Sequence, residues 1–171
     1  WEIDRSLTEL SDLYGFERAG AIYRRSLEAM RGIAGLIEQL ALACDFQRRD
    51  ALYLASPDKD KGALLAEHRL RVRAGLPGWF LDFPELLGTY GFAREGALLS
   101  PYAAEADPLR LAQGLLQVAL ARGARLFDAE AVAYDCAGRA VGATTYGGHC
   151  IEARHVVLAT GYVMPDFVAS D

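Results

Sequence analysis

Long apolar runs are missing from this 171-residue sequence. No stretch approaches the roughly 18 consecutive apolar residues that a membrane-spanning helix needs, so no span is expected. Cysteine is scarce: Cys44, Cys136 and Cys150 are the only three. Their number is odd and no pair has a C-x-x-C spacing, which argues against a disulfide framework and a closed zinc site. Reduced thiols and a cytoplasmic setting are the corresponding expectation. His68, His149 and His155 are dispersed, so no metal site is expected either. Lysine occurs only as Lys59 and Lys61, beside 16 arginines. The 18 basic residues are outnumbered by 23 acidic ones, giving a formal charge of −5. General attraction to nucleic acid or anionic lipid is thereby disfavoured. No H-E-x-x-H, P-loop or G-x-S-x-G occurs. Ser100 with His149 or His155 lacks any orienting third group, so no nucleophile–base pair is assigned.

What remains is ordinary for a globular chain: 52% hydrophobic and 24% charged residues, enough for one domain or two small ones. The chain opens on Trp1 without an initiator Met and stops at Asp171 soon after a strand-like run. It reads as an internal piece of something longer.

The strongest periodic signal is a long amphipathic helix. Phe16, Ala19, Tyr23, Leu27, Met30 and Ala34 recur at steps of three and four, on to Ala41. Gly32 and Gly35 weaken it, and either allow a close neighbouring backbone or are simply a tolerated cost. Residues 44–48 and 51–55 read as a hairpin across Arg49-Asp50. Ser56-Pro57 reads as the start of a second helix, ending at Gly75. Its Asp58-Lys59-Asp60-Lys61 run reads as a solvated face. Arg69, Arg71 and Arg73 alternate and cannot share one helix face, so they carry little functional weight. A short strand at 79–81, a short helix from Asp82 to Gly91 and a strand at 96–100 follow. Trp79, Phe80, Phe83, Tyr90, Phe92 and Tyr102 read as core, or as one wall of a ligand pocket.

A different grammar begins at residue 101, where a soft boundary is placed. Asp107-Pro108 opens a helix with apolar positions from Leu109 to Leu120, and Gly123 stops it. A strand at 124–127 is expected next, then a β-meander through Val132–Cys136, Val141–Thr145 and Ile151. His155 to Thr160 reads as a buried parallel strand ending at Gly161.

The chemistry concentrates in Ala159-Thr160-Gly161. Ligands of open α/β sheets sit outside the carboxyl ends of strands, and small residues there let backbone approach a flat or anionic ligand. A glycine in that place also simply turns the chain. The order from Asp107-Pro108 through Gly123-Ala124, Val132 and the meander to Ala159-Thr160-Gly161 resembles the D-amino acid oxidase-like family of FAD-dependent oxidoreductases, which includes glycine and sarcosine oxidases. The resemblance is closest over 96–165. Residues 8–95 are similar, less specifically, to the connecting helix and substrate part of that family.

That resemblance implies an α/β fold: a partial substrate-binding, helical region over 1–100, and part of a Rossmann-like FAD-binding domain with a β-meander over 101–171. It implies FAD as cofactor, with the Val132 backbone at the adenine and Ala159, Thr160 and Gly161 lining the nucleotide half. Asp107 and Pro108 match the start of a helix in the cofactor domain and serve chiefly as its cap. The implied activity is oxidation of a small amine or amino acid by hydride transfer to flavin. No catalytic residue can be carried over, and oligomeric state and covalent flavin attachment are not indicated.

The departures are equally specific. The family's opening strand, GxGxxG loop and helix, which hold the pyrophosphate, have no counterpart here. Gly32-Ile33-Ala34-Gly35 lies inside the long helix and Gly147-Gly148 in a turn. The family's carboxylate-binding arginine would fall beyond Asp171. The chain alone is therefore expected to bind FAD weakly or not at all. Two alternatives stand beside this reading: a non-catalytic helix-and-sheet module that docks a partner protein, supported by the long apolar stripe, and a flavin monooxygenase or reductase with the same cofactor fold.

Overall fold

A computed structural model describes residues 1–161, 165 and 168. The end of the strand-like run lies inside this range, whereas most of 162–171 lies outside it. The described chain is mixed α/β, with two three-stranded antiparallel sheets. It divides into two compact units, Trp1–Gly123 and Ala124–Asp171.

The first unit opens with two helices, α1 (Leu7–Tyr14) and α2 (Phe16–Gln39). Periodicity does not announce α1, but the sequence Ser6-Leu7-Thr8-Glu9 does. The Ser6 hydroxyl accepts from the Glu9 amide, and the Glu9 carboxylate accepts in turn from the Ser6 amide at 2.7 Å. This reciprocal box satisfies two otherwise orphaned donors. These bonds, with Lys59, hold the Glu9 carboxyl at about 2. Along α2 the residues Ala19, Tyr23, Leu27, Ala34 and Ile37 are buried, as the stripe predicts. Gly32 and Gly35, by contrast, face open space and allow no close backbone. Tyr23, Leu7 and Leu27 centre a core cluster with Trp1, Leu10 and Leu76. Full burial of side chains of this size contributes roughly 2 kcal/mol each.

Residues 47–54 form one strand, β1 (Gln47–Leu54), rather than half of a hairpin. Arg49-Asp50 has no turn chemistry, and β1 pairs instead with β3 (Gly96–Glu105), which also pairs with β2 (Trp79–Asp82), so that β3 is central. Strand β3 continues past Ser100 because a bulge sets Pro101 and Tyr102 opposite the single Asp50. A bulge is where a strand tolerates proline, and it places Tyr102 at φ +65°.

Helix α3 (Lys61–Arg73) starts later than expected. Asp60, not Ser56, is its cap, accepting from the Ala63 amide at 2.8 Å. Ser56 and Lys59 instead close a tight turn, exchanging backbone bonds of 3.0 and 3.1 Å. Both Ser56 and Asp60 are capping types, and a proline in second place suits a turn as well as a helix start. Helix α4 (Phe83–Tyr90) carries the Asp82–Glu85 box and ends at left-handed Gly91, as expected. Helix α5 (Pro108–Ala121) is capped by Asp107. The aromatics expected as core are mostly outside it: Trp79, Phe83 and Tyr102 are each about half exposed. Strand β2 lies at a sheet edge and α4 buries only Leu86, which leaves those rings little to pack on.

In the second unit β4 (Ala131–Asp135), β5 (Val141–Thr145) and β6 (Cys150–Ala153) form the expected meander. The strands expected at 124–127 and 155–160 are not formed. A parallel strand exists only through ladder partners, and Val157, meant to be covered on both faces, is 87% exposed.

Gly78 marks a tight approach of the β2 entrance to β3. Its φ is +141°, and an added Cβ would sit 2.8 Å from the Leu99 carbonyl oxygen, which is backbone and cannot give way. Gly78→Ala is predicted to lower stability by about 2 kcal/mol, read as a lower urea midpoint with an unchanged slope.

Candidate functional site

The sequence-derived cofactor residues all fall in the second unit. Val132 lies on β4 at a register break: Ala131 faces Thr145 and Ala133 faces Thr144, so Val132 is the extra residue of a bulge. Its side chain is half exposed. A bulge takes one residue out of the ladder and re-aims its backbone. Ala159, Thr160 and Gly161 follow β6 at the end of an irregular segment, and all three are exposed. Gly161 has φ +69°, and nothing lies within 4 Å of where a Cβ would be. The structure thus provides a bulged strand backbone and a run of small residues, both open to solvent. Asp107 is a cap: its carboxylate accepts from the Arg110 amide at 3.0 Å.

A dinucleotide also needs a seat for its pyrophosphate, normally free amides at a helix N-terminus. The helices described here do not offer one. The amides of Leu7 and Thr8 at the start of α1 already donate to the Glu67 carboxylate at 2.9 and 2.8 Å. Asp60, Asp82 and Asp107 cap α3, α4 and α5, and a carboxylate there repels phosphate. Helix α2 follows another helix rather than a strand and carries Glu17 in its first turn. Among the described residues, the starts of α1, α3, α4 and α5 therefore do not fit a pyrophosphate. Among the described residues no three His, Cys, Asp or Glu side chains group as metal ligands, and no helix is long and apolar enough to cross a membrane.

The most elaborate polar constellation is one that sequence spacing passes over. Arg71, the middle member of the alternating arginines, is 6% exposed. Its Nε donates to Glu67 at 2.8 Å, and its two terminal nitrogens donate to the two Glu2 oxygens at 2.6 and 2.9 Å. It also reaches Ser100, whose hydroxyl donates to Glu2. The guanidinium lies 5.4 Å from the Tyr23 ring centroid and 5.8 Å from that of Trp1. Burial alone would depress its pKa, but Glu2 and Glu67 outweigh that and raise it. Burial likewise pushes the Glu67 carboxyl up, and the bonds from Thr8, Arg71 and Leu7 outweigh it and hold it below 4.5. Desolvation, with Arg71 nearby, lowers His68. The arrangement is structural chemistry: every strong donor and acceptor is engaged, which leaves none poised for proton transfer.

Comparison with known proteins agrees with this fold. A family model described as FAD dependent oxidoreductase matches residues 5–170. The crystal structure of glycine oxidase from Geobacillus kaustophilus superposes with a TM-score of 0.64 at 20% identity, covering 75% of this chain and 36% of that one. L-proline dehydrogenase from P. horikoshii superposes with a TM-score of 0.57 at 18% identity, covering 72% of this chain and 35% of that one. At such identities the likeness is one of fold. The chain spans about a third of the length of each of these proteins. No curated protein matches it.

The Arg71 cluster makes a direct prediction. Removing the cation in Arg71→Met leaves Glu67 buried beside an empty place and lowers stability by about 3 kcal/mol at pH 7. A carboxyl held below 4.5 stabilises the fold above that pH and loses its contribution as pH falls. In the variant, protonation of Glu67 instead relieves an unpaired charge. The stability gap, measured by urea unfolding, is therefore predicted to narrow below pH 4.5.

Proposed function

The chain belongs to the FAD dependent oxidoreductase family, and from that membership we propose that the protein carrying it oxidises a small amine or amino acid at the carbon next to nitrogen, with hydride passing to flavin. The observation that carries this reading is the family match across 5–170. The bulged backbone at Val132 and the small, exposed Ala159-Thr160-Gly161 run support it. In this reading those four residues form one edge of the nucleotide bed. The pyrophosphate seat lies outside the described residues, because carboxylates occupy the starts of α1, α3, α4 and α5. Residues 1–100 serve the substrate side and 101–171 the cofactor side.

The flavin supplies the electron sink when bound, and a protein of this kind chiefly orients and desolvates the substrate. The partner-binding alternative has less support, because most of the α2 stripe is buried or half-buried, although Ile33 is exposed. A monooxygenase or reductase with the same cofactor fold is separated by substrate chemistry.

The test uses the full-length protein with its flanking sequence. It is predicted to purify with a flavin absorption band that bleaches when an amine or amino acid is added without oxygen. Gly161→Val, which forces a branched side chain into left-handed backbone beside the nucleotide, is predicted to lower bound flavin about tenfold with little change in circular dichroism. Protein that purifies without flavin and takes up none would overturn the reading. Flavin that amines leave oxidised, while a reduced nicotinamide bleaches it, would move the protein to the reductase class.

A further inference from the structure

An opening in the first unit takes no part in the proposed flavin site. It lies between α1, α3 and the turn at 56–59, and its volume is about 500 Å³. Close-packed interiors leave few voids larger than a water molecule, and small-molecule sites typically run from roughly 300 to 1,000 Å³. Ile3, Tyr23, Tyr53 and Leu64 supply apolar wall, and Ala63 and Ala66 leave room on the α3 side.

The charges around it have one dominant sign. Glu2, Asp4, Glu9, Asp58 and Glu67 line the opening, against Lys59 and Arg71. Both cations already face carboxylates of the protein. The Arg71 donors are engaged by Glu2, Glu67 and Ser100. Lys59 is tied to Glu9 at 3.1 Å, with its ammonium 5.8 Å from the Tyr53 ring centroid. Asp4 and Asp58 are exposed and form no ion pair among the described residues. The Tyr53 face thus already lies beside one ammonium, and two carboxylates are left to meet another.

We propose that this cavity binds an organic cation with an apolar body, of the aryl- or alkyl-ammonium class. The apolar walls take the body, and Asp4 and Asp58 meet the ammonium at the mouth. An amino-acid zwitterion is disfavoured, because its carboxylate would enter a lining in which five carboxylates face two cations. The site needs no residue of 124–171 and stands independently of the flavin reading.

The experiment titrates the full protein with 2-phenylethylammonium and, separately, with 3-phenylpropionate, an anion of similar shape, by calorimetry. Saturable binding of the cation at least about tenfold tighter than the anion is predicted. Ala63→Phe, at an exposed helix position facing the opening, is predicted to weaken the cation about tenfold with the urea midpoint unchanged. Asp4→Asn with Asp58→Asn is predicted to weaken it about threefold and to flatten its salt dependence. Equal binding of the two ions, no binding of the cation, or cation affinity unmoved by Ala63→Phe would each overturn the proposal. Flavin content, measured on the same samples, is predicted to be untouched by Ala63→Phe, so failure of this site and failure of the flavin reading are distinguishable.

Discussion

A guanidinium removed from water must find its counter-charges and hydrogen bonds inside the protein, or the fold does not form. Arg71 imposes that constraint on the first unit. It takes Glu67 from its own helix, Glu2 from the opening segment and Ser100 from the central strand. Glu67 is shared further, since its carboxylate also closes the N-terminus of α1 through Leu7 and Thr8. One buried pair therefore sets the opening segment, two helices and β3 in register. Tyr23 of α2 joins the same group by stacking and by donating its hydroxyl to the Arg5 carbonyl at 2.9 Å. Such a cluster gives little net stability over a well-packed apolar one, but removing either charge alone is costly.

The functional reading follows from what this rigid part leaves over. Carboxylates sit at the starts of α1, α3, α4 and α5, which makes those ends poor seats for a pyrophosphate. The second unit is different in kind: a small meander with a bulge at Val132, then a segment of small exposed residues. Backbone presented without bulk suits contact with a flat ligand, and side-chain chemistry is sparse there. A cofactor that performs the difficult step asks for little more.

Legibility in the sequence followed the range of the forces involved. Asp107-Pro108 to Gly123, Asp82 to Gly91 and the meander turns are local signals, and the structure reproduces them. The helix start read at Ser56 lies instead at Asp60, a residue read as part of a solvated face, and α3 packs against α1. The hairpin reading of 44–55 failed because a strand's partner is set by the whole sheet, here β3 some fifty residues on. The same nonlocality undid the strands at 124–127 and 155–160. Arg71 was hardest to see. Three alternating arginines look alike along the chain, and what distinguishes the middle one is Glu2, 69 residues away. Of the site, the small-residue run was visible as composition, whereas the Val132 bulge appears only once β5 is in place.

The central claim is that Arg71 holds the opening segment to α3 and the sheet. A double-mutant cycle between Glu2→Gln and Arg71→Met, read by urea unfolding at neutral pH, tests it most directly. A coupling energy of at least about 1 kcal/mol is predicted, because each charge is costly only while the other remains to be matched. Additivity within about 0.5 kcal/mol would contradict it.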